Sequence, residues 1–525
     1  MCSDNCYSPL RIQPSVRLVM SQSKPNILII MVDQLAPAFL PVHGFDLVKA
    51  PNITALAERG VVFDSAYCNS PLCSPSRAVF MSGQLPSRSG VYDNAAEFRA
   101  DIPTWAHYLR RAGYRTVLSG KMHFCGPDQL HGFEERLTTD IYPADYGWTP
   151  DWDHPQERPS WYHNMSSVTD AGLCVRTNQL DFDDEVVFAA ERALYEHVRS
   201  PDKRPFCMVA SLTHPHDPYA ITQDYWDLYR NEDIPLPGHV VPVEELDPHS
   251  RRLRHVCDMD KAEITDQHIR NARHAYFGAI SYVDANVGKL LKALEATGLD
   301  KDTIILFTGD HGEMLGERGL WYKMSWFEGS ARVPLIITAP QLYRPHRVEA
   351  SVSLVDILPT LVDMAEPGAA AELNGIDGAS LVPHCLGEGG HDEVRGEYLA
   401  EGAIAPLMML RRGNLKFVHS PADPDQLYDL TADPAELTNL AADPAHAEIV
   451  AGFRKDVETR WDLAAIDADV RASQRRRRVV DDALNSGKAT SWDFQPFKDA
   501  SKQYMRNTID LDDLEAMARY PRVRP

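Results

Sequence analysis

Four short apolar runs, far apart in the chain, each stop within a few residues of polar groups able to do chemistry, and this recurrence constrains the fold more than any other feature. The run Ile27 to Val32 ends at Asp33, and Thr116 to Leu118 leads to Lys121 and His123. Phe206 to Leu212 leads to His214 and His216, and Ile304 to Thr308 leads to Asp310 and His311. Continuous apolar runs of this length read as strands buried on both faces, with the intervening segments of helical period as the covering layers. The expected fold class is therefore α/β. In an open α/β sheet a ligand lies beyond the carboxyl ends of the strands, so four such endings would converge on one site.

Past about residue 395 the texture changes. Short strand-like pieces at Leu407 to Leu410 and Leu415 to Val418, then a helical stretch from Ala445 to Trp461, read as a smaller α+β domain. The expected organisation is an N-terminal tail over residues 1–23, a large domain carrying the site over 24–395, the α+β domain over 396–468 and a C-terminal extension over 469–525. Trp492, Phe494, Phe497 and Tyr504 give that extension enough aromatic surface to dock.

Asp and Glu outnumber Lys and Arg by 75 to 53, a formal charge of -22 that repels nucleic acid and anionic membranes. An anionic substrate would need a local basic pocket, and the basic run Arg475 to Arg478 reads as a solvated helix face or a subunit contact. The first twenty residues lack the apolar core of a secretory signal. No run approaches a membrane span. Nine cysteines without CxxC spacing suit reduced thiols, so a cytoplasmic location is expected.

Pro75, in Cys73-Ser74-Pro75-Ser76-Arg77, falls where a first helical turn tolerates proline; Ser76 to Ser82 can continue the helix and Gly83 can end it. Cys73 would then sit at a helix N-terminus, where free N–H groups and the dipole favour an anion. Taken alone, such a cysteine is more often a small buried hydrophobe. With Ala78, Ser82 and Gly83, however, this run resembles the Cys-x-Pro-x-Arg signature of the sulfatase family, in the alkaline-phosphatase superfamily. The resemblance continues in order through Pro25-Asn26-Ile27-Leu28 with Asp33, Gly120-Lys121-Met122-His123, Thr308-Gly309-Asp310-His311-Gly312-Glu313, Arg332-Val333-Pro334-Leu335 and Asp356-Ile357-Leu358-Pro359-Thr360. It ends with Gly375-Ile376-Asp377-Gly378 and Leu427-Tyr428-Asp429-Leu430, and covers about residues 25 to 445.

The resemblance implies a large mixed, mostly parallel sheet sandwiched by helices. It also implies that a separate maturation enzyme oxidises Cys73 to formylglycine. The aldehyde hydrate carries two hydroxyls: one attacks sulfur, and loss of the other's proton expels sulfate by breaking C–O. Arg77 would stabilise the hydrate. Asp33, Asp310, His311 and the formylglycine oxygen at Cys73 would hold one divalent cation, Ca²⁺ first, with Mn²⁺ or Mg²⁺ as alternatives. Many sulfatases carry two adjacent aspartates where this chain has Asp33-Gln34, which removes one charged ligand. Lys121, His123 and Lys323 match the contacts to sulfate and leaving group, and His216 is favoured over His214 by a Pro-His-x-Pro pattern.

Within the family the chain resembles the choline-sulfatase group, through Asn69-Ser70-Pro71-Leu72-Cys73, Tyr92-Asp93-Asn94-Ala95-Ala96-Glu97-Phe98 and Thr213-His214-Pro215-His216-Asp217-Pro218-Tyr219; Asp33-Gln34 is usual there. The implied substrate is choline-O-sulfate. A quaternary ammonium has no N–H to donate, so aromatic faces and carboxylates must recognise it. Trp148 is the leading candidate, although most tryptophans are core, and His163, Glu401 and Asn94 are implied around the pocket, with His214 kept as a further contact. The extension is expected to make a homo-oligomer, a dimer or tetramer, and to bring Asp510 near a neighbouring site. The alternatives are an arylsulfatase, a phosphonate monoester hydrolase or phosphodiesterase of the same superfamily, and a non-catalytic binder of a cationic osmolyte.

Overall fold

The computed structural model describes residues 24–229, 234–505 and 509–521, so the expected tail over 1–23 lies outside the described residues. The strands, in chain order, are β1 (Asn26–Val32), β2 (Val61–Tyr67), β3 (Arg115–Gly120), β4 (Glu135–Arg136), β5 (Gly172–Cys174), β6 (Phe206–Leu212), β7 (Ala220–Thr222), β8 (Thr303–Gly309), β9 (Leu335–Thr338), β10 (His346–Ser353), β11 (Glu393–Tyr398), β12 (Leu407–Arg412), β13 (Leu415–Ser420) and β14 (Asp423–Asp429). Eight of them form one sheet in the order β10-β2-β9-β8-β1-β6-β3-β4. Only β9 runs against its neighbours, so the sheet is mixed and mostly parallel.

The central strands are buried on both faces, as their unbroken apolar sequences require. In β1, Leu28, Ile30 and Val32 pack into one hydrophobic cluster, and Ile27, Ile29 and Met31 into the other. Burying each such side chain stabilises the fold by about 1.5–3 kcal/mol. The first cluster is closed by two long helices, α2 (Asn178–Arg199) and α3 (Asp266–Thr297). The second is covered partly by α1 (Cys73–Ser82), through Ala78, Phe80 and Met81.

β1 pairs in parallel with both β6 and β8, and β6 with β3. Val32 is in register with Leu212 and Gly309, and Gly120 with Ser211, so the four endings singled out in the sequence lie side by side. Gly120 adopts φ +105° and passes so close to the Ser211 carbonyl that no side chain fits there. The chain can therefore turn at once into Lys121.

β11 to β14 form a separate antiparallel sheet, packed with the helix Ala447–Arg460 around its own core of Met408, Leu410, Phe417, Phe453 and Val457. Its first strand begins at Glu393 and so crosses residue 395. Helix α4 (Leu463–Asn485) runs through the expected boundary at 468, and the last helix among the described residues is α5 (Leu511–Ala518). In the extension Trp492 packs on Tyr146 at 5.1 Å between ring centroids, and Phe494 lies under the Arg136 guanidinium. Phe497, by contrast, is 90% exposed, and Tyr504 lies under the Arg192 guanidinium and remains 75% exposed.

Candidate active site

Helix α1 starts at Cys73, follows the extended residue Leu72 and ends at Gly83 with φ +63°, the left-handed turn that glycine adopts without strain. All ten residues of α1 are buried. The backbone N–H of Ser74 donates to Oδ1 of Asn94 at 2.9 Å, so Asn94 caps the first turn from outside the helix.

At that turn one potential ligand atom from each of Asp33, Cys73, Asp310 and His311 lies within 4.8 Å of all the others, every residue buried. The Cys73 Sγ is 3.2 Å from Nε2 of His311 and 3.8 Å from Oδ1 of Asp33. The His311 Nδ1 bonds the Gly312 carbonyl at 3.0 Å, so it carries the proton and leaves the Nε2 lone pair facing the cluster. That is the tautomer a metal requires, and two carboxylates, one imidazole and a group at residue 73 form a donor set fitting a divalent cation.

Arg77 ties the carboxylates together, with Nε 2.8 Å from Asp310 Oδ2 and Nη2 3.1 Å from Asp33 Oδ2. Its Nη1 also donates to the Lys121 carbonyl at 2.6 Å and to Ser211 Oγ at 2.9 Å. Lys121 is fully buried, ion-paired with Asp33, and its ammonium sits 4.1 Å from the Tyr142 ring centre. Burial alone would raise the Asp33 carboxyl; the charges of Lys121 and Arg77 outweigh it and hold the group well below the usual carboxylate range. The Cys73 thiol is pushed up to about 12 by burial and by Asp33. An unconverted Cys73 thus stays a thiol, a weak nucleophile.

Lys323 stands opposite, buried, donating to Gln34 Oε1 at 2.6 Å, His216 Nε2 at 2.8 Å and His163 Nε2 at 3.3 Å. Burial lowers its pKa, but the negative groups around it, Asp217 and Asp33 among them, raise it further. His216 lies well below the ordinary imidazole value and His163 falls to about 4, in both cases through burial and then the Lys323 charge. Both are neutral acceptors of the Lys323 protons. His123 drops to about 3 by burial and the Lys121 charge, and its ring nitrogens have no hydrogen-bond partner in the structure. Beside Lys121, both nitrogens are thus left free to bond a ligand. His214 is set back, held by Asp183 at 2.7 Å.

Around His123 stands an aromatic wall. Trp148 meets His123 at 5.8 Å and Tyr142 at 5.2 Å, edge to face, and stacks on Trp161 at 6.4 Å. Tyr142 and Trp161 were not expected from the sequence; neither belongs to a quoted motif, and only loop packing brings them in. Gln34 and Asp217 were likewise unassigned, although each directly follows a residue singled out in the sequence.

Glu401 is buried and lines a cavity of about 350 Å³ with Trp152, Tyr162, Arg252 and His255 rather than with Trp148. Burial pushes its carboxyl up to about 7, and Oε2 has no hydrogen-bond partner. Asp510 is exposed and caps α5 through the Asp512 N–H; among the described residues no bond ties it to this site within one chain. The basic run does not behave as a solvated face throughout: Arg475 and Arg478 pair with Asp153 and Asp151, and Arg477 is buried against Asp93. The described cysteines are all free, and no described helix is long and apolar enough to cross a membrane.

Comparison with known proteins supports the same chemistry. The family model described as Sulfatase matches residues 25–367, the model N-sulphoglucosamine sulphohydrolase, C-terminal matches 316–462, and the model Choline sulfatase enzyme C terminal matches 468–520. The chain is 52% identical over 511 residues to a choline-sulfatase of Rhizobium meliloti, covering 96% of this chain and 100% of that one. It is 31% identical to arylsulfatase K of Gallus gallus over 78% of each chain. Among solved structures, the phosphonate monoester hydrolase of Agrobacterium radiobacter superposes with a TM-score of 0.66 at 26% identity, covering 85% of this chain and 96% of that one.

Proposed function

The chain belongs to the sulfatase family, and from that premise we propose that it hydrolyses choline-O-sulfate to choline and sulfate. The observation that carries the chemistry is the buried cluster of Asp33, Cys73, Asp310 and His311 at the ends of β1 and β8 and the start of α1, with Arg77, Lys121 and Lys323 around it. The choice of choline rests on the similarity over nearly the whole chain and on the aromatic wall at Trp148.

A maturation enzyme would convert Cys73 to formylglycine, whose hydrate supplies a nucleophilic hydroxyl and a route for releasing sulfate. Asp33, Asp310, His311 and residue 73 would hold the divalent cation, Ca²⁺ before Mn²⁺ or Mg²⁺, which supplies positive charge beside the nucleophile. The rest falls to the side chains. Arg77 fixes both ligand carboxylates through its planar fork. Lys121 and Lys323 neutralise sulfate oxygens in a pocket that excludes water, where fixed charge is most effective. Lys323, held as an ammonium among neutral imidazoles, is the group able to give a proton to the departing choline oxygen. His123, neutral at its low pKa, contributes an N–H contact rather than a charge.

The trimethylammonium head would rest on the faces of Trp148 and Tyr142, with His163 and Asn94 bounding the pocket and Glu401 supplying negative charge from the separate cavity behind Trp161 and Tyr162. The exposed apolar residues of the extension, Phe497, Leu511 and Met517, suit contact between copies of the chain, and such an oligomer would bring Asp510 to a neighbouring site. Steady-state turnover of choline-O-sulfate, an aryl sulfate and a phosphonate monoester by the matured enzyme tests the assignment. Choline-O-sulfate should give the highest kcat/KM, and a higher value for either of the others would replace the assignment.

A further inference from the structure

We propose that Arg477, in the C-terminal helix α4, is a positioning residue that clamps the two loops forming the choline end of the pocket. This rests on the choline-sulfate reading above. The Arg477 guanidinium grips Asp93 through two parallel bonds of 2.7 Å, and its Nη1 also donates to Thr149 Oγ1 at 3.0 Å. The Arg477 side chain is 6% exposed and that of Asp93 is fully buried. Asp93 directly precedes Asn94, which caps the helix turn holding residue 73. Thr149 directly follows Trp148. One guanidinium thus fixes the loop that touches the nucleophile's helix and the loop that carries the aromatic face.

The same helix grips the second loop again on successive turns. Gln474 Oε1 accepts from the Trp152 N–H at 2.9 Å, and Arg471 donates to the Trp152 carbonyl at 2.6 Å. Arg475 adds an exposed pair with Asp153. Beyond the helix, Asp493 Oδ1 accepts from the Ala144 N–H at 2.9 Å, and Trp492 covers Tyr146. Residues 471 to 493 therefore strap the segment from Ala144 to Asp153 onto the large domain. A two-bond arginine–carboxylate pair fixes orientation as well as distance, and burial spares it from screening by salt. Lysine carries the charge but cannot reproduce the fork. The metal-facing groups and Lys121 sit at strand ends and on α1, and Lys323 is held by Gln34 and His216 behind strand ends, whereas Trp148 depends on a loop. Loss of the clamp should accordingly weaken substrate binding more than the chemical step.

The test uses the full-length, matured enzyme carrying Arg477→Lys, and separately the paired change Arg477→Met with Asp93→Leu, which leaves no unpaired buried charge. Arg477→Lys retains the charge and so guards against a failure to fold. KM for choline-O-sulfate should rise about tenfold in the paired variant and less in Arg477→Lys, with kcat changed by less than about threefold. Amide hydrogen exchange over residues 90–98 and 144–153 should accelerate. KM and exchange both at wild-type values in the folded variants would overturn the clamp. If the wild-type enzyme turns over an aryl sulfate but not choline-O-sulfate, the substrate reading fails; exchange still decides the clamp, faster exchange supporting it and unchanged exchange overturning it.

Discussion

Lys323 donates a 2.6 Å hydrogen bond to Oε1 of Gln34, the residue standing where many sulfatases carry a second aspartate. The Gln34 amide nitrogen donates in turn to Glu313 and, at 3.3 Å, to Asp217. Its backbone holds φ +61°, and its N–H bonds Asp310 at 3.1 Å. Gln34 therefore connects the metal-facing carboxylates to the cation opposite them without itself carrying charge. Replacing it by alanine frees Lys323 from one of its three acceptors and leaves Glu313 short of a donor. A group displaced by about 1 Å from its working position loses roughly 10²-fold in rate. Kinetics of Gln34→Ala on choline-O-sulfate should show a kcat loss of that order with a smaller change in KM; an unaltered kcat would show that Lys323 needs no such support.

Glu401 offers a pH-dependent signature. Burial raises its carboxyl from 4.5 to about 7, with Asp93 adding to the rise and Lys323 opposing it. Only the ionised form attracts a quaternary ammonium, so KM for choline-O-sulfate should fall as pH rises through about 7, and Glu401→Gln should give a high, flat profile. Stability should move the other way. A carboxyl raised in the folded state contributes stability below its ordinary value and loses it as pH climbs through the folded one. The melting temperature of the wild type relative to Glu401→Gln should thus decline between pH 4.5 and about 7. A KM profile identical in the two proteins would remove Glu401 from the pocket.

Cation binding should appear in stability independently of turnover. A ligand at one hundred times its dissociation constant stabilises the folded state by about 2.7 kcal/mol. Adding Ca²⁺ or Mn²⁺ to chelator-treated protein should raise the melting temperature, and Asp310→Asn should suppress that rise. Equal rises in both proteins would place the ion elsewhere.

The extension divides into a strap and an exposed end. Truncation after residue 495 keeps α4, Trp492 and Phe494 in contact with the body and removes Phe497, Leu511 and Met517, which are 90%, 54% and 44% exposed. Light scattering should report a smaller assembly, and KM for choline-O-sulfate should rise as Asp510 is lost. An unchanged mass would separate the extension from oligomerisation.

The strand endings were legible because unbroken runs such as Ile27 to Val32 have no reading in a water-facing sheet, and because a parallel sheet aligns its carboxyl ends. Helix α1 was legible from Pro75 and Gly83. The polar edge strands of the second sheet were not: Asp423–Asp429 contains a proline and three aspartates, and it becomes a strand only through pairing with β13. Arg477 read as part of a solvated face because its partner, Asp93, lies 384 residues away. Tyr142 and Trp161 carry no local pattern, and their place beside Trp148 follows from loop packing alone.

Under the proposed function, residue 73 works only after losing its sulfur. Mass spectrometry of the peptide carrying that residue, from active protein made in its own host, tests it most directly. An aldehyde at position 73, with choline-O-sulfate turnover scaling with the converted fraction, is the expected result. An intact thiol in a fully active preparation would contradict it.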